Sequence, residues 1–194
     1  KKTIGFLTGH GERDRTAELQ WFSLQLEEQY ILAEVSKDSN DNLDLSDIDI
    51  IVIAGPTESV TEVEKADLNT FFSRGGKGLV LVDTTIADTE RFVARSNPNN
   101  FNDFILQYGV FVHENIVVDI QAHRNLSFTT QAGNVLLPYP YWINSQTAES
   151  KIGGSGEGAT LTWAGSIELE EEPEIRYVER FIPLLQTTEF GLIN

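Results

Sequence analysis

Short apolar runs alternate with amphipathic stretches through the first half of the chain. Thr3 to Thr8 (TIGFLT) is β-branched and apolar, stops at Gly9, and predicts a buried strand. Arg15 to Gln29 sets Leu19, Phe22 and Leu26 on one helical face with acids opposite, and Asp14 stands where an N-cap belongs. Tyr30 to Val35 predicts a second strand, and the Asp- and Asn-rich stretch Ser36 to Asp47 a loop. Ile48 to Ala54 (IDIIVIA) is nearly continuous in apolar residues and is stopped by Gly55-Pro56, the pattern of a central parallel strand covered on both faces. Thr61-Glu62-Val63-Glu64 fits a capping box, so a helix is expected from there to about Arg74, ending at Gly75-Gly76. Leu79 to Val82 is the next apolar strand and Asp83 ends it.

The second half is less regular. A loop or weak helix precedes a short helix over Phe101 to Gln107, which Gly109 stops, and Asn115 to Asp119 reads as a strand. From Ala122 to Gly158 periodicity dissolves into scattered aromatics, a Pro-Tyr-Pro-Tyr-Trp cluster and the run Gly153 to Gly158. Thr160 to Trp163 and Phe181 to Leu185 are late candidate strands, separated by the acidic run Glu168 to Glu174. Apolar strands alternating with amphipathic helices predict an α/β fold with a mostly parallel, doubly wound sheet. No repeat and no strong linker interrupts it, so one domain over 1–194 is expected, its core including Ile4, Phe6, Phe22, Leu26, Ile51, Ile53, Phe72, Leu79 and Leu81.

Composition narrows the chemistry. The chain has no Cys, which removes thiol catalysis, thiolate metal sites and disulfides, and its length can bury roughly 70% of the unfolded surface without such staples. Residues 1–97 hold 10 basic and 18 acidic residues and residues 98–194 hold 4 and 12, so each half carries −8 of the net −16. That excludes a basic arm and argues against nucleic acid and anionic lipid as partners. No Met occurs, even at position 1, which reads as an excised piece of a longer protein whose missing flanks could hold a signal peptide, membrane helices or another domain. The longest uncharged stretch, Asn125 to Ala148, carries Asn, Gln, Ser, Thr and two Pro and does not read as a membrane helix.

The strand ends hold the candidate chemistry, since ligands of open α/β sheets bind there. His10, Gly11 and Glu12 follow the first strand; the glycine lets backbone approach a ligand, and His10 with Glu12 could serve acid–base work or tie neighbouring loops together. Gly55, Pro56 and Glu58 follow the third strand, and Asp83 and Thr84 the fourth; all three loops are expected at one sheet edge, as a ligand pocket or as turn chemistry. This is no Rossmann fingerprint, because the third glycine would fall at Asp14. His113 and His123 are not spaced as metal ligands, so no metal and no cofactor is expected. Tyr139, Tyr141 and Trp142 either form a contact surface for a partner chain or pack back on the sheet.

Five segments in fixed order, KKTIGFLTGHGERD (1–14), IVIAGPTESVTEVEKADLNTFFSRGGKGLVLVD (51–83), LQYGVFVHENIVVD (106–119), LLPYPYW (136–142) and PLLQTTEFG (183–191), together resemble the auxiliary component of gliding-motility-type ABC transporters. The resemblance implies an extracytoplasmic (periplasmic) domain tethered by membrane segments outside these residues, working with an ABC permease and ATPase. It also implies a fold similar to class I glutamine amidotransferases and to the N-terminal domain of an intraflagellar transport protein, without catalytic residues. Where amidotransferase-like enzymes carry a nucleophilic Cys, this chain offers only Thr57, Thr84 and Thr85. The alternative is a hydrolase or carbohydrate-active enzyme of that fold, using His10 with Glu12, Glu58 or Asp83. Oligomeric state is not encoded in any motif.

Overall fold

Parallel pairing demands runs that are apolar on both faces, and the N-terminal half supplies them. In a computed structural model of the chain, which describes residues 1–88, 91, 93–131, 133–147, 158–170 and 181–193, β1 (Thr3–Leu7), β2 (Ile31–Val35), β3 (Ile50–Ala54) and β4 (Lys77–Leu81) form one parallel sheet in the order β2-β1-β3-β4. The three runs expected to share a sheet, at Ile4, Ile51 and Leu79, do so. The chain gathers into two compact units. The first holds the described parts of Lys1–Thr84, Asn97–Phe111 and Leu169–Tyr177, and the second those of Thr85–Ser96, Val112–Glu168 and Val178–Asn194.

In the first unit, α1 (Gln20–Glu27) covers one face of the sheet, where Ile4, Phe6, Val52 and Ala54 pack with Leu19 and Leu26. The other face is covered by α2 (Glu62–Ser73) and α3 (Phe101–Leu106), where Leu7, Ile51 and Ile53 meet Leu68, Phe71, Phe101 and Phe104. Edge-to-face rings run Phe101, Phe104, Tyr108, Phe72, Phe71 through this core. Three expected core residues are instead exposed: Phe22 at 37%, Leu79 at 38% and Leu81 at 47%. Phe22 meets Phe6 only by its edge. Leu79 and Leu81 lie on the sheet's edge strand, and Leu26 and Phe72 are half-buried.

The helix termini follow local chemistry. Asp14 caps a turn ahead of α1, its Oδ1 accepting from the N–H of Thr16 (2.7 Å) and Ala17 (2.8 Å), so α1 begins later than expected. The capping box of α2 is complete: Glu64 N–H donates to Thr61 Oγ1 (3.2 Å) and Thr61 N–H to Glu64 Oε2 (2.8 Å). Gly75, at φ +93°, ends the helix in the left-handed region. Thr61→Ala is expected to lower stability by about 1 kcal/mol, or about 2–4 °C in Tm. Thermal melts followed by circular dichroism check this, and an unchanged Tm would contradict it.

The second unit is antiparallel in its described pairings. It contains the hairpin β5 (Thr85–Asp88) and β6 (Val93–Ser96), then, after β7 (Val110–Val112), β8 (Val117–Asp119). β9 (His123–Thr130) and β10 (Gly133–Asn144) make a long hairpin. After β11 (Gln146–Thr147), β12 (Thr160–Thr162) pairs with the far side of β10. Then come β13 (Ile167–Leu169), β14 (Leu185–Gln186), which pairs with β11, and β15 (Gly191–Ile193), which pairs with β8. The stretch after Asp83, expected as loop or weak helix, thus holds the paired β5 and β6, and the stretch after Ala122, expected without regular structure, holds the long β9 and β10. The expected strand at Phe181 to Leu185 reduces to Leu185–Gln186, and that at Asn115 starts at Val117. Residues 153–157 of the glycine run and 171–174 of the acidic run lie outside the described residues.

Candidate functional site

The strand order reverses direction between β1 and β3, and the loops leaving these strands meet at that point. Arg13 N–H donates to Ala54 O (2.8 Å), Gly55 N–H to Leu81 O (2.8 Å), and Thr57 and Glu58 N–H both to His10 O (2.9 Å each). The three loops therefore share one sheet edge. Their centre is His10, 2% exposed. Its Nδ1 lies 3.0 Å from Glu12 Oε1, and its own N–H donates to Glu12 Oε2 at 2.7 Å. On the other side Nε2 lies 2.9 Å from Glu64 Oε1, an ion-pair contact without hydrogen-bond alignment. Glu64 reaches His10 because it is the third residue of α2, fixed there by Thr61.

Two carboxylates around one buried imidazole set the charges. The hydrogen bond with Glu12 raises the His10 pKa above its ordinary value; burial opposes this, and the charges of Glu64 and Glu12 reinforce it. Burial pushes the Glu12 carboxyl up, but hydrogen bonds from the His10 ring and N–H outweigh it and hold Glu12 below the usual range. The arrangement is a buried Glu–His–Glu clasp. Both ring nitrogens are engaged by carboxylates, so the imidazole is not presented to a substrate.

The other candidates are placed differently. Pro56 is buried and Glu58 is exposed, joined to His10 only through its backbone. A Cβ on Gly55 would meet Arg13 Cγ at 3.6 Å and Asp83 Oδ2 at 3.8 Å. Burial raises the Asp83 carboxyl, with Arg13 opposing, although the residue keeps surface in water. Thr84 O accepts from Asn97 N–H (2.9 Å). Thr57 Oγ1 donates to Gly11 O at 3.5 Å. The sequence reading missed Asn97, Asn99 and Asn100. Asn97 Nδ2 donates to Pro56 O (3.0 Å) and Asp83 O (2.8 Å), Asn99 Nδ2 to Asp83 O (3.2 Å), and Asn100 exchanges two 2.9 Å bonds with the Val60 backbone. The legible signal was the Asn-Pro-Asn-Asn run itself, at 97–100.

A cavity of about 320 Å³ opens beside the clasp, lined by Phe6, Gly9, Gly11, Arg13, Arg15 and Glu34 among others. Its cations face acids: Arg13 Nη1 meets Glu18 at 2.7 Å and Arg15 Nε lies 3.5 Å from Glu34. Gly11 sits at φ +72°, and a Cβ there would fall 2.0 Å from Thr57 Oγ1, whereas Gly9, at φ +110°, has nothing within 4 Å. Gly11→Ala is expected to lower stability by about 2 kcal/mol, clearly more than Gly9→Ala, which meets only backbone strain. Urea titrations check the pair, and equal midpoints would contradict the packing at Gly11.

In the second unit, Asp119 is fully buried and gathers four donors. Oδ1 accepts from the N–H of Gln121 (2.9 Å) and Ala122 (2.8 Å), and Oδ2 from Thr188 N–H (2.9 Å) and Oγ1 (2.7 Å). Burial raises its pKa, but these bonds hold it below the usual value. Tyr139, Tyr141 and Trp142 are half-buried on β10, where register shifts between Tyr139 and Ile143. His113 pairs with Glu168 at 2.8 Å, and His123 Nδ1 is 3.1 Å from Asp119 O. Among the described residues no group of three or more His, Asp or Glu converges as a metal site.

No curated protein matches the chain. Among solved structures, the mmIFT52 N-terminal domain is similar, with TM-score 0.65 and 17% identity over 98% of this chain and 75% of that one, a likeness of fold. A family model described as ABC-type uncharacterized transport system matches residues 1–192, and the chain belongs to this family of ABC transport auxiliary components.

Proposed function

We propose that the chain is a non-catalytic interaction domain of an ABC-type transport system of the gliding-motility type. It faces the extracytoplasmic side, is tethered by segments outside these residues, and works with a permease and an ATPase. The proposed architecture for the first unit is the doubly wound, amidotransferase-like one, with helices on both faces of the 2-1-3-4 sheet. The observation that carries the reading is the burial of His10 between Glu12 and Glu64. The best acid–base candidate in the chain closes three loops onto one another instead of facing the adjoining cavity. A hydrolase using His10 would need that ring open to substrate. Family membership supports the transport assignment. The net charge of −16 favours neutral or basic partner surfaces over nucleic acid. Among the described residues no helix is long and apolar enough to cross a membrane.

The absence of Cys from these residues makes the location testable. A single Cys at the exposed Gln25 on α1 provides a label site. In cells with an intact inner membrane, a membrane-impermeant maleimide is expected to label Gln25→Cys before lysis. Labelling only after lysis would overturn the extracytoplasmic assignment.

A further inference from the structure

We propose that the second unit holds a binding site for a small organic cation bearing a methylated ammonium group, an inference that stands apart from the transport reading. A cavity of about 510 Å³ opens there, within the range of small-molecule sites. Its walls include Ile116, Phe128, Tyr139, Tyr141 and Trp163, with Asp88 as the charged liner. The rings stand at steep angles to one another: Tyr139 and Trp163 cross at 81° with centroids 6.3 Å apart, and Tyr139 and Tyr141 at 51° and 5.4 Å. Trp163 Nε1 donates to Tyr139 Oη at 3.2 Å, which fixes this corner. Trp163 also holds φ +50°, a conformation that a bulky residue adopts only under constraint and that recurs at ligand clamps.

The chemistry of the walls selects the ligand. Crossed aromatic faces attract a cation through their quadrupoles, most strongly a weakly hydrated methylated ammonium. Asp88 adds negative charge to this wall while holding its own turn: its Oδ1 accepts from the Arg91 N–H at 3.0 Å, and its Oδ2 lies 3.9 Å from the Arg91 guanidinium. Among the described residues no basic side chain lines the cavity, which favours a cation over an anion. A sugar needs several polar side chains beside its stacking ring; among the described residues Asp88 is the one charged liner, and the Tyr139 hydroxyl already accepts from Trp163.

The test is a tryptophan-fluorescence titration of the 194-residue chain at constant ionic strength with choline, its neutral isostere 3,3-dimethylbutanol, and glucose. Trp163 reports from the site. Saturable binding of choline, with the isostere and glucose at least about tenfold weaker, is expected. Tyr141→Leu and Asp88→Asn should each weaken choline binding several-fold while Tm stays near the parent's. If Tyr141→Leu does not fold, the comparison of choline with its isostere on the parent still decides. Equal binding of the isostere, saturation by glucose instead, or no saturation by choline would overturn the proposal.

Discussion

His10→Ala is expected to lower Tm by about 10 °C. The substitution leaves Glu12 and Glu64 facing an emptied, water-poor space with their shared imidazole partner gone. Removing one member of such a buried charge cluster lowers stability by about 3–5 kcal/mol, mostly because the remaining charges are stranded; for a chain of this size each kcal/mol moves Tm by about 2–4 °C. Neutralising the stranded carboxylate in His10→Ala/Glu64→Gln should recover part of the loss, a non-additivity that a double-mutant cycle reads directly. Acidity sets the window. Folding raises the His10 pKa, so its stabilisation is complete below the unfolded value of 6.5 and is lost as pH rises through the higher folded value. Folding lowers the Glu12 pKa, so its share is present above the unfolded value of 4.5 and is lost as pH falls through the depressed one. The Tm gap between parent and His10→Ala should therefore be widest from mildly acidic to neutral pH and close on the alkaline side. A gap that widens with rising pH, or no gap at all, would contradict the clasp.

The second large effect is expected at Asp119. In Asp119→Ala three backbone N–H groups and the Thr188 hydroxyl lose their acceptor in a buried setting. Each stranded donor carries a penalty of about 1–3 kcal/mol, and with partial relaxation the total should be about 4 kcal/mol. Asp119→Asn keeps the shape and one acceptor oxygen and should fall between parent and Ala. Thr188→Ala, which removes a single hydroxyl, should lose only about 1 kcal/mol. Because folding holds the Asp119 pKa below 3.8, its contribution is present above that value and disappears only as pH drops through the folded one. Trp142 and Trp163 report on the second unit, so fluorescence-monitored denaturation reads the effect where it arises. An Asp119→Ala midpoint indistinguishable from the parent's would refute this role.

Wherever the local signal matched the burial it created, the sequence could be read. β1 and β3 are apolar on both faces and lie inside a parallel sheet, and the Thr61–Glu64 capping box and the stops at Gly75 and Gly109 are short-range devices that depend on little else. Leu79 and Leu81 misled because an apolar run reads the same on an edge strand as at the centre of a sheet. The β9–β10 hairpin was invisible for the opposite reason. Val135, Leu136 and Leu137 are consecutive and all exposed, which erases the period of two, and Pro138 and Pro140 argue against a strand until the register shift is known. At the strand ends, the loops and His10 were legible as a cluster, with ligand site and loop tie both open. Glu64 was legible only as a capping residue: its partnership with His10 spans a distance in sequence that no local pattern encodes. Asp119 read as the end of a strand, since its acceptor role needs the Thr188 segment to return beside it.

The membership of this chain in a transport assembly is tested most directly by purifying it in its full-length form, affinity-tagged, from detergent-solubilised membranes of its native host. Co-eluting subunits are identified and quantified by mass spectrometry. The expected result is an ABC permease and an ATPase bearing a P-loop, recovered in fixed ratio to the tagged chain; the chain eluting alone, with both subunits left in the unbound fraction, would contradict the account.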